Sequence, residues 1–346
     1  MTTAVVKVGT SSLTDASGQI DEEAIERVAA GVADLRRAGH QVVLVTSGAI
    51  AAGLPELGMD ATDRPSDAVT LQAASSVGHP VLHRTWAAAL SRHDLRSGQI
   101  LLAPHNFGDR RQYLHARATL SRLLELGVVP VVNENDAVTD EEIRFGDNDR
   151  IAALVASLVS AEVLVLLTDT EGVLTADPRI DPSASLIEEI VEFDRQLLDA
   201  AGASGSVRGS GGMASKLKAA IRAVIARADR PDVIPAAVAG TAGVGTSVVP
   251  RPTKLSARKV WIGFAMPSVA TLTVDAGART ALEQGGRSLL AAGVTEASGP
   301  FERRDPIEVA DPSGEVFAKG IARVGSGELA DHVGVVIHVD DMVVLA

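Results

Sequence analysis

There is no cysteine anywhere in the 346 residues, so disulfides, thiol nucleophiles and zinc–thiolate sites are excluded. Positive charge is also short: 32 Lys and Arg stand against 44 Asp and Glu, a net charge of −12. That balance argues against a chain whose main task is to grip nucleic acid or an anionic membrane. Long apolar runs are missing as well. The longest tract, Ile151 to Leu167, is broken by Ser157, Ser160 and Glu162. It reads as a helix followed by a buried strand and not as a membrane span. The N-terminus runs straight into a strand-like segment with no basic region and apolar core, so no signal peptide is expected. What remains is 46% hydrophobic and 22% charged. This is the composition of a globular protein with a large core, in a chain long enough for two domains. A cytoplasmic enzyme is the natural class.

Apolar β-branched runs alternate with helical spacing over some 170 residues. Ala4 to Val8, Gln41 to Val45, Gln99 to Leu102, Val128 to Val132 and Val163 to Leu167 read as strands. Asp21 to Arg37, Ser66 to Ser91 and Gln112 to Leu126 read as helices, and Ile151 to Leu154 has a helical pattern. Such alternation predicts βαβ units on a mostly parallel sheet with helices on both faces. Past Val249, prolines 250 and 252 break the pattern among Arg251, Lys254, Arg258 and Lys259, which marks a boundary. Beyond Ser268 come short alternating runs (Thr271–Val274, Ile307–Val309, Val316–Ala318 and Val335–Val339) and one helix, Ala276–Gln284. They predict a small, mostly-β barrel.

Polar clusters sit where these strands end. Lys7 precedes Gly9-Thr10-Ser11-Ser12: a cation and a Gly-Thr turn suit an anion, although a strand-end lysine is usually just solvated. Thr46-Ser47-Gly48-Ala49-Ile50 is a small-residue junction that exposes backbone donors at a helix start. Ser47 lacks a GxSxG setting and is not read as a nucleophile. Asn133-Glu134-Asn135-Asp136 and Gly146-Asp147-Asn148-Asp149 flank the expected crevice. Carboxylates there can bind an ammonium, orient lysines or hold Mg²⁺ through waters, or else be ordinary loop and cap residues. Thr168-Asp169 ends a further strand. The Gly-rich stretch from Ala200 to Gly212 leads into Met213-Ala214-Ser215-Lys216. It is either a loop that closes over polyphosphate or a linker before a surface helix, and its residues alone leave both open. His79 and His83 are four apart, but Pro80 between them and the missing third ligand favour packing or surface roles over a metal.

Together, in this order and spacing, five segments resemble the amino-acid kinase family, and within it the members that phosphorylate glutamate and carry a C-terminal PUA domain. They are Val5 to Thr10, Thr46 to Ile50, Asn133 to Asp136, Gly146 to Asp149 and Gly211 to Lys216. The resemblance covers nearly the whole chain. It implies a three-layer α/β/α sandwich with a mostly parallel central sheet over residues 1–252, a linker at about 253–267, and a PUA-like barrel over 268–346. The implied reaction is transfer of the ATP γ-phosphoryl to the side-chain carboxylate of L-glutamate, with Mg²⁺, as the first step of proline biosynthesis. Carried over by position, Lys7 and Lys216 resemble the lysines that contact the transferring phosphate, and Asp149 the acid that holds them. Ser47, Asp136 and Asn148 resemble the glutamate-binding residues. Thr168, Asp169 and the run Ser210, Gly211, Gly212, Met213, Ala214, Ser215 and Lys216 resemble the ATP-binding segments. Ala214-Ser215 departs from the family's usual pair of hydroxyl residues and leaves the rest of that motif intact. The resemblance further implies feedback inhibition by proline, a homo-oligomer (dimer or tetramer) and hand-off of the acyl phosphate to glutamyl-phosphate reductase.

The chemistry agrees. A glutamate side chain, with a pKa of about 4.3, is ionised at neutral pH and needs no general base. The task is to bring that anion to an anionic phosphate, which calls for positioning and fixed cations. Two readings compete. An acetylglutamate, aspartate or uridylate kinase would use similar lysines with another substrate pocket. An RNA-binding role through the C-terminal module is disfavoured by its six basic against twelve acidic residues from 268 onward.

Overall fold

The computed structural model describes residues 1–60, 62–103, 106–107, 109–138, 147–176, 181, 183–190, 221–249, 259, 262–263 and 268–345. The chain divides into two compact units, Met1–Pro104 with Leu114–Thr253, and His105–Tyr113 with Lys254–Ala346.

Among the described residues the first unit is built on eight strands: β1 (Thr3–Val8), β2 (Gln41–Thr46), β3 (Arg96–Leu102), β4 (Val128–Glu134), β5 (Val163–Thr168), β6 (Glu189–Ile190), β7 (Arg222–Arg227) and β8 (Thr246–Val248). They lie in the order β3-β4-β2-β1-β5-β7-β8-β6. All neighbouring pairs are parallel except β7 with β8. A parallel strand is covered on both faces, which is why β1, β2 and β5 are almost unbroken apolar runs. The helices are α1 (Glu22–Arg37), α2 (Ala49–Glu56), α3 (Ala68–Ser91), α4 (Arg110–Glu125), α5 (Asp147–Leu158) and α6 (Val233–Ala239). Asp21 caps α1 by accepting the N–H groups of Glu23 and Ala24, and acids in its first turn and arginines in its last suit the helix dipole.

The sequence reading found α1, α3, α4 and the start of α2 at the Gly48 junction, but not the extent of α2, nor α6, β7 or β8. The reasons are local. Helix α2 is short and contains Gly53 and Pro55, and β7 begins and ends in arginine. Helix α3 starts two residues later than Ser66, at Ala68 after a cap formed by Asp67, and continues through Pro80.

Strand alternation divides the unit's interior. Ala4, Val6 and Val8 of β1 join Val42 and Leu44 of β2 in a core with α1, α3 and α6. Val5 and Lys7 therefore point to the other face, where α5 lies against β1, β2, β4 and β5. Helices α2 and α3 cross at backbone contact. A Cβ at Gly53 would lie 1.8 Å from the Ala74 carbonyl oxygen, and one at Gly78 would lie 1.8 Å from that of Ala49. Only glycine fits at either position.

The second unit is a six-stranded, mainly antiparallel sheet: β9 (Ala270–Val274), β10 (Leu289–Leu290), β11 (Val294–Ser298), β12 (Pro306–Ala310), β13 (Val316–Ala322) and β14 (Val335–Val344), in the order β10-β14-β13-β12-β9-β11. Helix α7 (Ala276–Glu283) joins its core, which includes Leu272, Leu282, Phe301, Ile307, Phe317 and Ile337. The expected small β module is there. Its short edge strands β10 and β11 escaped the alternation pattern. Among the described residues no helix is long and apolar enough to cross a membrane.

Candidate active site

Parallel strands leave their carboxyl ends on one edge of the sheet. From β1 the chain turns towards β2, whereas from β5 it turns towards β7, so neighbouring strands β1 and β5 send their connections in opposite directions. A crevice opens at such a switch point. Lys7 lies one residue from the end of β1, between Val45 and Leu166 in register. It is only 9% exposed, yet carries a charge. Its partner comes from the first turn of α5: Lys7 Nζ stands 2.5 Å from Asp149 Oδ1, and Asp149 is 8% exposed. Buried charges are tolerated when paired, and this pair is.

The end of β2 is tied to β1, since the Ser47 N–H donates to the Val8 carbonyl at 3.1 Å. Ser47 is buried, and Gly48 takes φ +100°, the left-handed turn that launches α2. Below them Thr46 Oγ1 accepts from Trp86 Nε1 at 3.0 Å, fixing the strand end to α3.

At the end of β4, the Glu134 N–H is shared by the side-chain oxygens of Asn133 (2.8 Å) and Asn148 (3.2 Å). This shared donor brings β4 and α5 together and orients the Asn148 amide. Asn133 is 3% exposed, and its Nδ2 has no hydrogen-bond partner among the described residues. A buried free donor at a strand end is the kind of group that a ligand satisfies.

Asp136, in the 3₁₀ turn Asp136–Val138, faces α3. Ser75 Oγ donates to Asp136 Oδ2 at 2.5 Å, and His79 Nε2 lies 3.1 Å from Ser75 Oγ and 4.0 Å from Asp136 Oδ2. Burial pushes the Asp136 carboxyl above its ordinary value, with the Ser75 hydrogen bond and the charges of His79 and Arg64 acting against that rise. Burial pushes His79 below its ordinary value, opposed by Asp136. The structure thus gives His79 a polar setting that spacing alone did not reveal. It is 5% exposed and engaged with a strand-end carboxylate. The available signal was the pairing of Ser75 and His79 at i,i+4 on one helix face. Among the described residues no group of three His, Asp or Glu side chains could hold a metal.

Thr168 and Asp169 end β5, where Thr168 Oγ1 donates to Asp169 Oδ1 at 3.0 Å. Arg227, paired with Thr168 in register, borders a cavity of about 340 Å³ lined also by Glu171, Leu186, Pro231 and Val244. So Lys7, Ser47, Asp136, Asn148, Asp149, Thr168 and Asp169 all sit at the carboxyl edge or at the α5 start beside it. Ser210, Gly211, Gly212, Met213, Ala214, Ser215 and Lys216 lie outside the described residues, as does Gly146.

Comparison with known proteins adds three findings. Residues 2–236 match the model of the amino acid kinase family, and residues 270–342 match the PUA domain. The chain is 43% identical over 331 residues to a glutamate 5-kinase of Burkholderia multivorans, covering 94% of this chain and 88% of that one. It is 40% identical over 364 residues to a glutamate 5-kinase of Pelobacter propionicus, covering 99% and 97%. Among solved structures, UMP kinase from Bacillus anthracis superposes with a TM-score of 0.50 at 15% identity, over 71% of this chain and 95% of that one. At that identity the likeness speaks for the fold alone.

Proposed function

The chain belongs to the amino acid kinase family, and we propose that it transfers the γ-phosphoryl group of ATP to the side-chain carboxylate of L-glutamate. The product is L-glutamyl 5-phosphate, which begins proline biosynthesis. The observation that carries this reading is identity above 40% to glutamate 5-kinases along 94% of the chain. The crevice supports it, with a buried cation and a set of carboxylate and amide groups on one strand edge.

In this reading Lys7 meets the phosphoryl group in flight, and Asp149 holds the ammonium so that it need not reorganise as charge builds. Lys216 supplies a second cation. Asp136 takes the α-ammonium of glutamate, while Ser47 and Asn148 receive its carboxylates. Thr168, Asp169 and residues 210–216 hold ATP, with the cavity beside Arg227 at its base or ribose end. The acceptor carboxylate is already ionised, so alignment and charge neutralisation are the whole catalytic task.

Mg²⁺ fits this donor set in one form. Asp149 is engaged by Lys7 and Asp136 by Ser75, and no cage exists among the described residues. Magnesium commonly keeps its waters and rides on substrate phosphates with one or two carboxylates. Bound there, it would neutralise phosphate oxygens. Proline as a competing ligand, a homo-oligomer, transfer of the acyl phosphate to its reductase, a cytoplasmic setting and the division at residues 252 and 268 belong to the same proposal through family resemblance.

The test is ATP-dependent hydroxamate formation with L-glutamate, L-aspartate and N-acetyl-L-glutamate as acceptors. Glutamate is expected to be preferred by at least about tenfold in kcat/KM, since a misplaced ammonium leaves Asp136 unpaired. Equal or greater turnover with either other acceptor would overturn the assignment.

A further inference from the structure

The carboxylate of Asp136 is held from behind. Ser75 and His79 stand four residues apart on α3, one helical turn, and are 0% and 5% exposed. The hydroxyl of Ser75 has one proton, and it is given to Asp136 Oδ2. Ser75 Oγ must then accept in its contact with His79 Nε2, so neutral His79 carries its proton on Nε2. The other ring nitrogen agrees with this: His79 Nδ1 is buried with no hydrogen-bond partner among the described residues. A bare lone pair tolerates that place better than an N–H donor would.

We propose that Ser75 and His79 are positioning residues for substrate recognition: the relay from His79 Nε2–H through Ser75 Oγ–H to Asp136 Oδ2 fixes one carboxylate oxygen to α3, so that Asp136 meets the acceptor's ammonium in a single orientation. This rests on the reading of Asp136 as the ammonium site and adds to it two residues that touch neither substrate nor phosphate. Among the described residues, the charged groups that face the relay are Asp136, which acts on His79, and Arg64, which acts on Asp136. Protonation of His79 would place an Nδ1–H donor where none of the described residues accepts it. It would also set a cation 4.0 Å from the carboxylate meant for the substrate's ammonium. Recognition therefore depends on a neutral His79, the form that burial favours.

Two measurements on the full chain test the relay. The first is glutamate kinetics at pH 7.5 for Ser75→Ala, His79→Leu and His79→Gln. Ser75→Ala and His79→Leu are expected to raise the glutamate KM by about tenfold, the effect of one hydrogen bond to a charged group, and to do so far more than they lower kcat. His79→Gln keeps an N–H that can reach Ser75 and is expected to recover most of the loss. Equal effects of Leu and Gln, or a matching rise in the ATP KM, would mean that the pair serves packing only. The second needs no substrate: NMR titration of the His79 ring in the wild type and in Asp136→Asn. Removing the opposing carboxylate is expected to lower the His79 midpoint further, and an unmoved midpoint would refute the coupling. If that shift is present while the wild type shows no glutamate-dependent turnover, the relay stands and the substrate assignment falls.

Discussion

Lys7 and Asp149 offer a quantitative test of how the site is assembled. Both side chains are about nine-tenths buried and meet at 2.5 Å. Lys7→Met leaves a carboxylate desolvated beside the first turn of α5. Asp149→Leu leaves an ammonium desolvated near the carboxyl end of β1. Each single change is expected to cost about 3–5 kcal/mol, because an uncompensated buried charge remains. The double replacement removes both charges and is expected to cost much less than the two together, since apolar residues can replace a buried pair at little cost. Loss of an acid near the helix start contributes only about 0.3–1 kcal/mol of this. The coupling energy should therefore exceed about 2 kcal/mol. The assay is urea unfolding followed by the emission of Trp86, which is fully buried and bonded to Thr46. The chain's second tryptophan, Trp261, is replaced by Phe throughout. Turnover should fall in all three variants, by about 10²–10³-fold wherever Lys7 is absent. Additive stability losses in the double variant would refute the pairing, and wild-type kcat in Lys7→Met would remove Lys7 from the chemistry.

Asp136→Ala should act mainly through acceptor affinity, costing about 2–5 kcal/mol of binding as the partner ammonium is left unpaired; steady-state kinetics with glutamate and ATP varied separately would check this, and an effect confined to ATP would move Asp136 to the nucleotide. Gly78→Ala drives a methyl into the Ala49 carbonyl at the α2–α3 crossing, and backbone cannot give way as a side chain can. Its cost should reach or exceed the upper end of the about 1–3 kcal/mol typical of overpacking, with a lower Tm as the readout. A chain ending at Trp261 should fold and retain glutamate-dependent turnover, because every described residue with a proposed chemical role, the lining of the cavity beside Arg227 included, lies at or before Val244. A folded truncation, by circular dichroism and gel filtration, without turnover would show that the C-terminal unit completes the site.

Much of this was written locally. The runs at Val5, Val43, Val131 and Leu164 announce buried strands because a strand covered on both faces needs apolar side chains in succession. Asp21 before a helical pattern announces a cap, and polar residues closing each run mark the functional edge. The positions Lys7, Ser47, Asp136, Asn148 and Asp149 were legible as chemistry-bearing residues in an order that resembles one family. Residues 210–216 belong to that pattern and lie outside the described structure. Their companions could be read only from the folded chain. The resemblance implied that Asp149 holds Lys7, but nothing near Lys7 in sequence reveals that the two meet directly and out of water, because that depends on α5 lying over the face to which β1 turns its odd residues. Nor does the helical stretch around Pro80 reveal that His79 is buried behind Asp136. The physical reason is range: periodicity, capping and turn chemistry are decided within a few residues. The partner of a charge, its loss of water and hence its protonation depend on which distant segments the strand order brings together.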